Sequence, residues 1–161
     1  MKRFVLFSAI IIAMINLSAC DPANYSYSYE DLKDSVSVVE LIHYDNPDAV
    51  TLFEERDKVI PFDFNKAEVI ETLETGQIDD FLNDFSEILF LMYWRHSDSP
   101  NGTSIRIFYE NGDFEIVSYK AVYAGKFDSD GNVKEFIGGL ASRGSFISLV
   151  NTYFNTELDP P

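Results

Sequence analysis

From Ile88 onward apolar and polar residues alternate with a period of two, and three turn signals cut this stretch into pieces of strand length. Ser99-Pro100-Asn101-Gly102 separates 88–95 from 103–110, and Asn111-Gly112 separates 103–110 from 113–119. Asp128-Ser129-Asp130-Gly131-Asn132 separates 122–127 from 133–137. Links this short join antiparallel neighbours, since a parallel crossover needs about a dozen residues. The pattern predicts a meander over 88–138. Val36–Tyr44 is rich in β-branched residues and runs into Asp45-Asn46-Pro47-Asp48, which predicts a further strand and a loop. Residues 48–74 follow neither period: Pro61 argues against a helix around it, and 68–73 reads equally as strand or helix.

Two segments carry the helical period. Ile78, Phe81, Leu82 and Phe85 form one apolar stripe of a helix predicted over 76–86, with Asp79 and Asp80 at the positive end of its dipole. Phe146, Leu149, Val150, Tyr153 and Phe154 form a second stripe, whose helix Ser142 or Ser145 can cap. One apolar stripe per helix suits packing on a sheet. The expected fold is α+β: an antiparallel meander of about five to seven strands with both helices on one face.

The Asn111-Gly112 hairpin allows a register to be written. With those two residues as a type I′ loop, Tyr109 opposes Phe114, Phe108 opposes Glu115, Ile107 opposes Ile116, and Arg106 opposes Val117. One face then collects Ile105, Ile107, Tyr109, Phe114 and Ile116 as core. The other collects Arg106, Phe108, Glu115, Val117 and Tyr119, with Arg106 and Glu115 within reach across the Phe108 ring. That mixed face, through Arg106, Phe108, Glu115 and Tyr119, is the expected contact surface.

The N-terminus sets the location. Lys2-Arg3 precedes an apolar run from Phe4 to Leu17 that is short for a bilayer span, and small residues follow. Leu17-Ser18-Ala19-Cys20 resembles the lipobox of bacterial lipoproteins. The resemblance implies a signal peptide over 1–19, diacylglyceryl transfer to the Cys20 thiol, and cleavage that leaves Cys20 first. It also implies an extracytoplasmic domain anchored to the cell membrane by lipid. The mature part is similar in general character to small lipoproteins of Gram-positive bacteria. Residues 20–34 are expected to be the lipidated cysteine and a tether, since Asp21 to Tyr29 alternates polar and aromatic residues, and 35–158 a single domain. The alternating tyrosines leave an edge strand or a membrane-interface device as the other reading.

Charge excludes one class of partner. The chain of 161 residues has 12 Lys+Arg against 27 Asp+Glu, a formal −15. Removing Lys2 and Arg3 leaves 10 against 27, or −17. Nucleic acid is a poor partner for such a surface, and anionic lipid headgroups repel it. A basic protein or peptide is the complementary one, and Glu68, Glu71, Glu74, Asp79, Asp80, Asp84 and Glu87 concentrate the acidity. The single cysteine excludes an intrachain disulfide and any zinc site of two or more thiolates.

Catalytic patterns are weak. Asp128 to Asn132 is rich in oxygens, but Val133 falls where an EF-hand needs glycine and Gly139 where it needs a bidentate acid, so a plain turn is expected and no metal. His43 and His96 are the two histidines, too few for a three-histidine zinc site. His96, Ser97 and Asp98 are adjacent along an extended stretch and cannot form a relay. The reading that follows is a lipid-anchored, non-enzymatic binding or accessory domain without cofactor. A cell-envelope hydrolase using His96 and acids in a cleft is the alternative.

Overall fold

A computed structural model describes residues 24–45, 61–91, 101–118, 123–140 and 143–158. Eight strands form one antiparallel sheet: β1 (Asn24–Tyr25), β2 (Val36–Tyr44), β3 (Ala67–Thr72), β4 (Phe90–Leu91), β5 (Gly102–Tyr109), β6 (Phe114–Ser118), β7 (Tyr123–Phe127) and β8 (Val133–Leu140). Their spatial order is β1-β4-β8-β7-β6-β5-β2-β3. Three α-helices accompany it: α1 (Tyr29–Lys33), α2 (Ile78–Ser86) and α3 (Arg143–Tyr153). The architecture is the α+β meander expected, with β5 through β8 as consecutive hairpins.

The meander is shorter than expected at its start. The strand predicted from Ile88 does not lie beside β5; Phe90 and Leu91 pair with Leu140 and Gly139 of β8, toward the far end of the sheet. Residues 92–100, with Trp94, Arg95, His96 and the Ser99-Pro100 turn, lie outside the described residues, as do 46–60. Of the ambiguous stretch, 67–72 is a strand on the opposite edge, paired with β2. Ile70 has no partner in that register, so β3 bulges there. A bulge flanked by Glu68 and Glu71 blunts an edge against further strand pairing.

Both faces of the sheet are covered. On one, α2 and α3 lay Phe81, Leu82, Phe85, Phe146, Leu149, Val150 and Phe154 against Val39, Leu41, Ile105, Ile107 and Val117, all buried in one cluster. These are the two helical stripes read from the sequence. Three acids of the acid-rich stretch fasten this layer. Tyr29 donates to Asp79 at 2.6 Å and Tyr153 to Asp84 at 2.7 Å, while Glu71 accepts from the Asn155 backbone and side-chain amides at 2.7 Å each. Those carboxylates join α1, α3 and the C-terminal segment to their neighbours and are not idle surface charge.

The N-terminal segment is not a free tether from Asn24 on. β1 pairs with β4, Tyr27 is buried among Tyr25, Phe85 and Phe90, and α1 buries Leu32 in the same cluster. The edge-strand reading of the tyrosines therefore holds for Tyr25. Apolar area explains it: a tyrosine ring buried to this degree removes enough surface from water to dock a short segment.

The opposite face carries a second, smaller cluster of Ile42, Tyr44, Phe62, Phe114, Ile116 and Phe127. Residues 61–66 cross it. The Asp63 N–H donates to the Tyr44 hydroxyl at 3.0 Å, and the Phe62 N–H to the Gly131 carbonyl at 2.7 Å. Gly131 sits at φ +85°, and a Cβ there would lie 2.4 Å from the Phe62 carbonyl oxygen. Gly131→Ala is thus expected to lower stability by roughly 2–4 kcal/mol, from backbone strain together with displacement of the covering segment. Urea unfolding of the variant checks this, and an unchanged midpoint would show that 61–66 is not seated on the turn.

Candidate functional site

The hairpin that was to present the contact surface has a different register. Phe108 opposes Phe114, Ile107 opposes Glu115, Arg106 opposes Ile116, and Ile105 opposes Val117. The cause lies in the loop. The Tyr109 N–H donates to the Asp113 carbonyl at 2.9 Å and the Gly112 N–H to the Tyr109 carbonyl at 3.0 Å, so three residues form the loop and Gly112 takes φ +87°. The Glu110 N–H, needed by a two-residue loop, donates instead to Ser35 at 2.8 Å, and the Asp113 N–H is taken by the Asn111 side chain at 3.0 Å. A slip of one residue exchanges the faces of one strand relative to the other. Arg106 and Phe108 are consequently on one side of the sheet and Glu115 and Val117 on the other. The expected pairing of Arg106 with Glu115 does not form, and Tyr119 lies outside the described residues.

Arg106 has another partner. Its Nε and Nη2 donate to Glu40 Oε2 at 2.8 and 2.5 Å, from directly across β2. The guanidinium carbon lies 4.8 Å from the centroid of Phe108, 5.7 Å from Phe62 and 6.0 Å from Phe64. The arginine is 7% exposed. Beside it Ser104 and Ser118 oppose each other with their hydroxyls 2.6 Å apart. This is a largely buried ion pair under an aromatic cover, with the side chains of Arg106 and Glu40 8% and 15% exposed, a structural element that offers little charge to a partner.

Glu115 lies among the apolar residues of the helix face, fully buried. Its Oε2 accepts from the Tyr109 hydroxyl at 2.6 Å, while Oε1 has no hydrogen-bond partner among the described residues. The buried Tyr27 hydroxyl is likewise unpartnered. Across the strand, Lys126 opposes Glu115 and Glu135 opposes Lys126. The Lys126 ammonium is 4.0 Å from Glu135 and 6.0 Å from the Tyr27 ring centroid. Burial pushes the Glu115 carboxyl up to about 8, with Lys126 acting against the rise and Glu135 adding to it. Burial also raises the Tyr109 hydroxyl. In Tyr25 burial acts first, followed by the charges of Glu115, Glu135 and Asp31. A neutral carboxylic acid at pH 7 is the chemical content of this cluster.

A groove of about 570 Å³ opens between α2 and α3, lined by Asp84, Glu87, Ser145, Ser148 and Thr152 over Ile88 and Leu149. Asp84 and Thr152 already have partners: Tyr153 donates to the carboxylate, and Thr152 donates to the Ser148 carbonyl at 2.7 Å. The surface is polar and acidic, suited to cations and amines.

The other sequence candidates resolve simply. Asp128 closes its own turn, accepting from the Asp130 and Asn132 backbone amides at 3.0 and 2.8 Å and from the Asn132 side chain, whose hydrogen bonds hold the carboxyl below its usual range. His43 is exposed at the end of β2, opposite Glu68 and Thr103. Among the described residues no group of three or more His, Cys, Asp or Glu side chains is placed to hold a metal ion. Glu40 and Lys126 were missed in the sequence because their roles depend on partners 66 and 11 positions away in pairs that only the sheet register defines, and Tyr27 because its ring contacts, Phe85 and Phe90, are equally remote in the chain. Cys20 and His96 lie outside the described residues. Among the described residues no helix is long and apolar enough to cross a membrane. Neither a scan against protein-family models nor searches of curated proteins and of solved structures found a match.

Proposed function

We propose that this protein is a lipid-anchored, extracytoplasmic binding or accessory domain, held at the cell membrane through Cys20. The observation that carries the reading is the Leu17-Ser18-Ala19-Cys20 lipobox behind a basic, then apolar leader. Only Asp21, Pro22 and Ala23 separate Cys20 from the first strand residue. Four Cα steps span at most about 14 Å, so the β1–β4 edge of the sheet is held next to the bilayer. Two acyl chains retain a protein where one gives marginal binding, and the formal −17 of the mature chain keeps the rest of the domain off anionic headgroups.

The binding role rests on the acid-rich segment. Glu68, Glu74, Asp80 and Glu87 are exposed, and Val69 and Ile70 stand 46% and 45% exposed between Glu68 and Glu71 on the edge strand β3. A basic protein or peptide with apolar side chains complements that edge. β3 lies at the end of the sheet opposite β1, so a partner there approaches away from the membrane. Cys20→Ser is expected to move the protein from the detergent phase to the aqueous phase on Triton X-114 partition of whole cells. Retention of the variant in the detergent phase would overturn the anchoring reading.

A further inference from the structure

We propose that residues 24–34 form a proton-gated arm, docked over the Glu115 carboxyl while that carboxyl is neutral and displaced from the sheet when it ionises. The proposal deepens the anchoring reading, because the arm is the link between Cys20 and the sheet. It stands on three features of the arm and the surface below it.

First, the arm and Glu115 each bury a polar atom without a partner among the described residues, and Lys126, which opposes Glu115, lies 6.0 Å from the Tyr27 ring centroid of the arm. Tyr27 Oη and Glu115 Oε1 are both buried and both without a partner among the described residues. Such groups lose their hydration without compensation, and a carboxylate loses far more than a carboxylic acid. Secondly, the arm is the weakest part of the cover. β1 makes two residue pairs with β4, α1 has five residues, and the Ser28 N-cap makes no side-chain cap bond. An isolated helix of that length is not stable in water. β6, which carries Glu115, is paired along its whole length with β5 and β7. Water therefore reaches Glu115 most easily by lifting the arm. Thirdly, the charged and titratable groups around Glu115 come from every neighbouring element: Tyr109 on β5, Lys126 on β7, Glu135 on β8, and Tyr25 and Tyr27 on the arm, with Asp31 of α1 acting on Tyr25. Lys126 is the single cation of this set among the described residues. It is shared with Glu135 and leaves Glu115 Oε1 without a hydrogen bond.

Release would alter how far the domain reaches. With the arm docked, the four Cα steps from Cys20 to Asn24 span at most about 14 Å; with the arm released as far as Val36, sixteen steps span at most about 58 Å. A rise in pH would thus convert a domain held by one edge close to its anchor into one on a long flexible leash.

Hydrogen exchange of the full mature chain in detergent, read by mass spectrometry from pH 5 to 9 and expressed as protection factors, tests the gate. Arm peptides are expected to lose up to about tenfold in protection per pH unit between pH 5 and about 8, and to level off above. Peptides of β5 and β6 are expected to keep theirs. Glu115→Gln should abolish the pH dependence of the arm, and Lys126→Met should move it to higher pH, since the lysine favours the ionised carboxyl. Arm protection that is flat with pH in the wild type, or that falls together with β5 and β6, would overturn the proposal. The same exchange on the Cys20→Ser chain separates the two readings: an unlipidated arm that still opens with pH leaves the gate standing even if the anchor fails.

Discussion

Glu40→Ala is expected to destabilise the protein by about 3–5 kcal/mol, the range for breaking a buried ion pair from one side. The arginine left behind sits beneath Phe62, Phe64 and Phe108, with 8% of its side chain exposed and no second carboxylate bonded to it among the described residues. Its charge would have to be hydrated by opening the cover, and the cover is the 61–66 segment that also seals Ile42, Phe114 and Phe127. The double variant Glu40→Leu with Arg106→Met removes both charges and is expected to recover most of the loss, because desolvation of the pair offsets much of its attraction. Urea unfolding of the two single variants and the double variant gives the coupling directly. Equal and additive losses would mean that the two side chains do not act as a pair.

The second large effect depends on pH. Glu115 is neutral in the folded protein up to about pH 8, whereas its unfolded-state counterpart ionises near 4.5. Between those values the folded state binds more protons than the unfolded one, so stability falls as pH rises. The contribution is fully present below about 4.5, is lost progressively toward 8, and is constant above. Glu115→Gln keeps the shape and an acceptor for Tyr109 without the titration. Measured by urea unfolding, the variant should match the wild type near pH 5 and exceed it at pH 8 by up to roughly 3–5 kcal/mol. Release of the arm hydrates the carboxylate, and the loss then stops at the free energy of docking the arm. A stability difference independent of pH would show that Glu115 is ionised in the folded state.

These two residues also mark the boundary of what local sequence reveals. Strand and helix positions were legible because burial on one face imposes a period: Val36–Tyr44 is a strand over the span read from its β-branched residues, and the stripes at 78–85 and 146–154 are the helix faces that meet the sheet. The hairpin register was not legible. Asn111-Gly112 fits a two-residue loop as readily as the three-residue loop that forms, and the choice rests on the Glu110 N–H meeting Ser35, a contact with another part of the chain. That single residue of slip decides whether Arg106 faces Glu115 or Glu40. For the same reason the acid-rich segment read as a uniform surface, although Glu71, Asp79 and Asp84 each hold a distant donor. The tyrosines of the N-terminal segment alternate with polar residues in a run that lacks other apolar side chains, and only ring contacts with Phe85 and Phe90 place Tyr25 and Tyr27 against the core.

Both the short link to the sheet and the gated arm have a meaning for the cell only if the chain is anchored where the lipobox puts it. Mass spectrometry of the N-terminal peptide from protein purified out of its native membrane reads this directly. The account predicts a mature chain that begins at Cys20 and carries a diacylglyceryl group on Sγ. A chain that retains Met1, or that begins elsewhere with Cys20 as a free thiol, would contradict it.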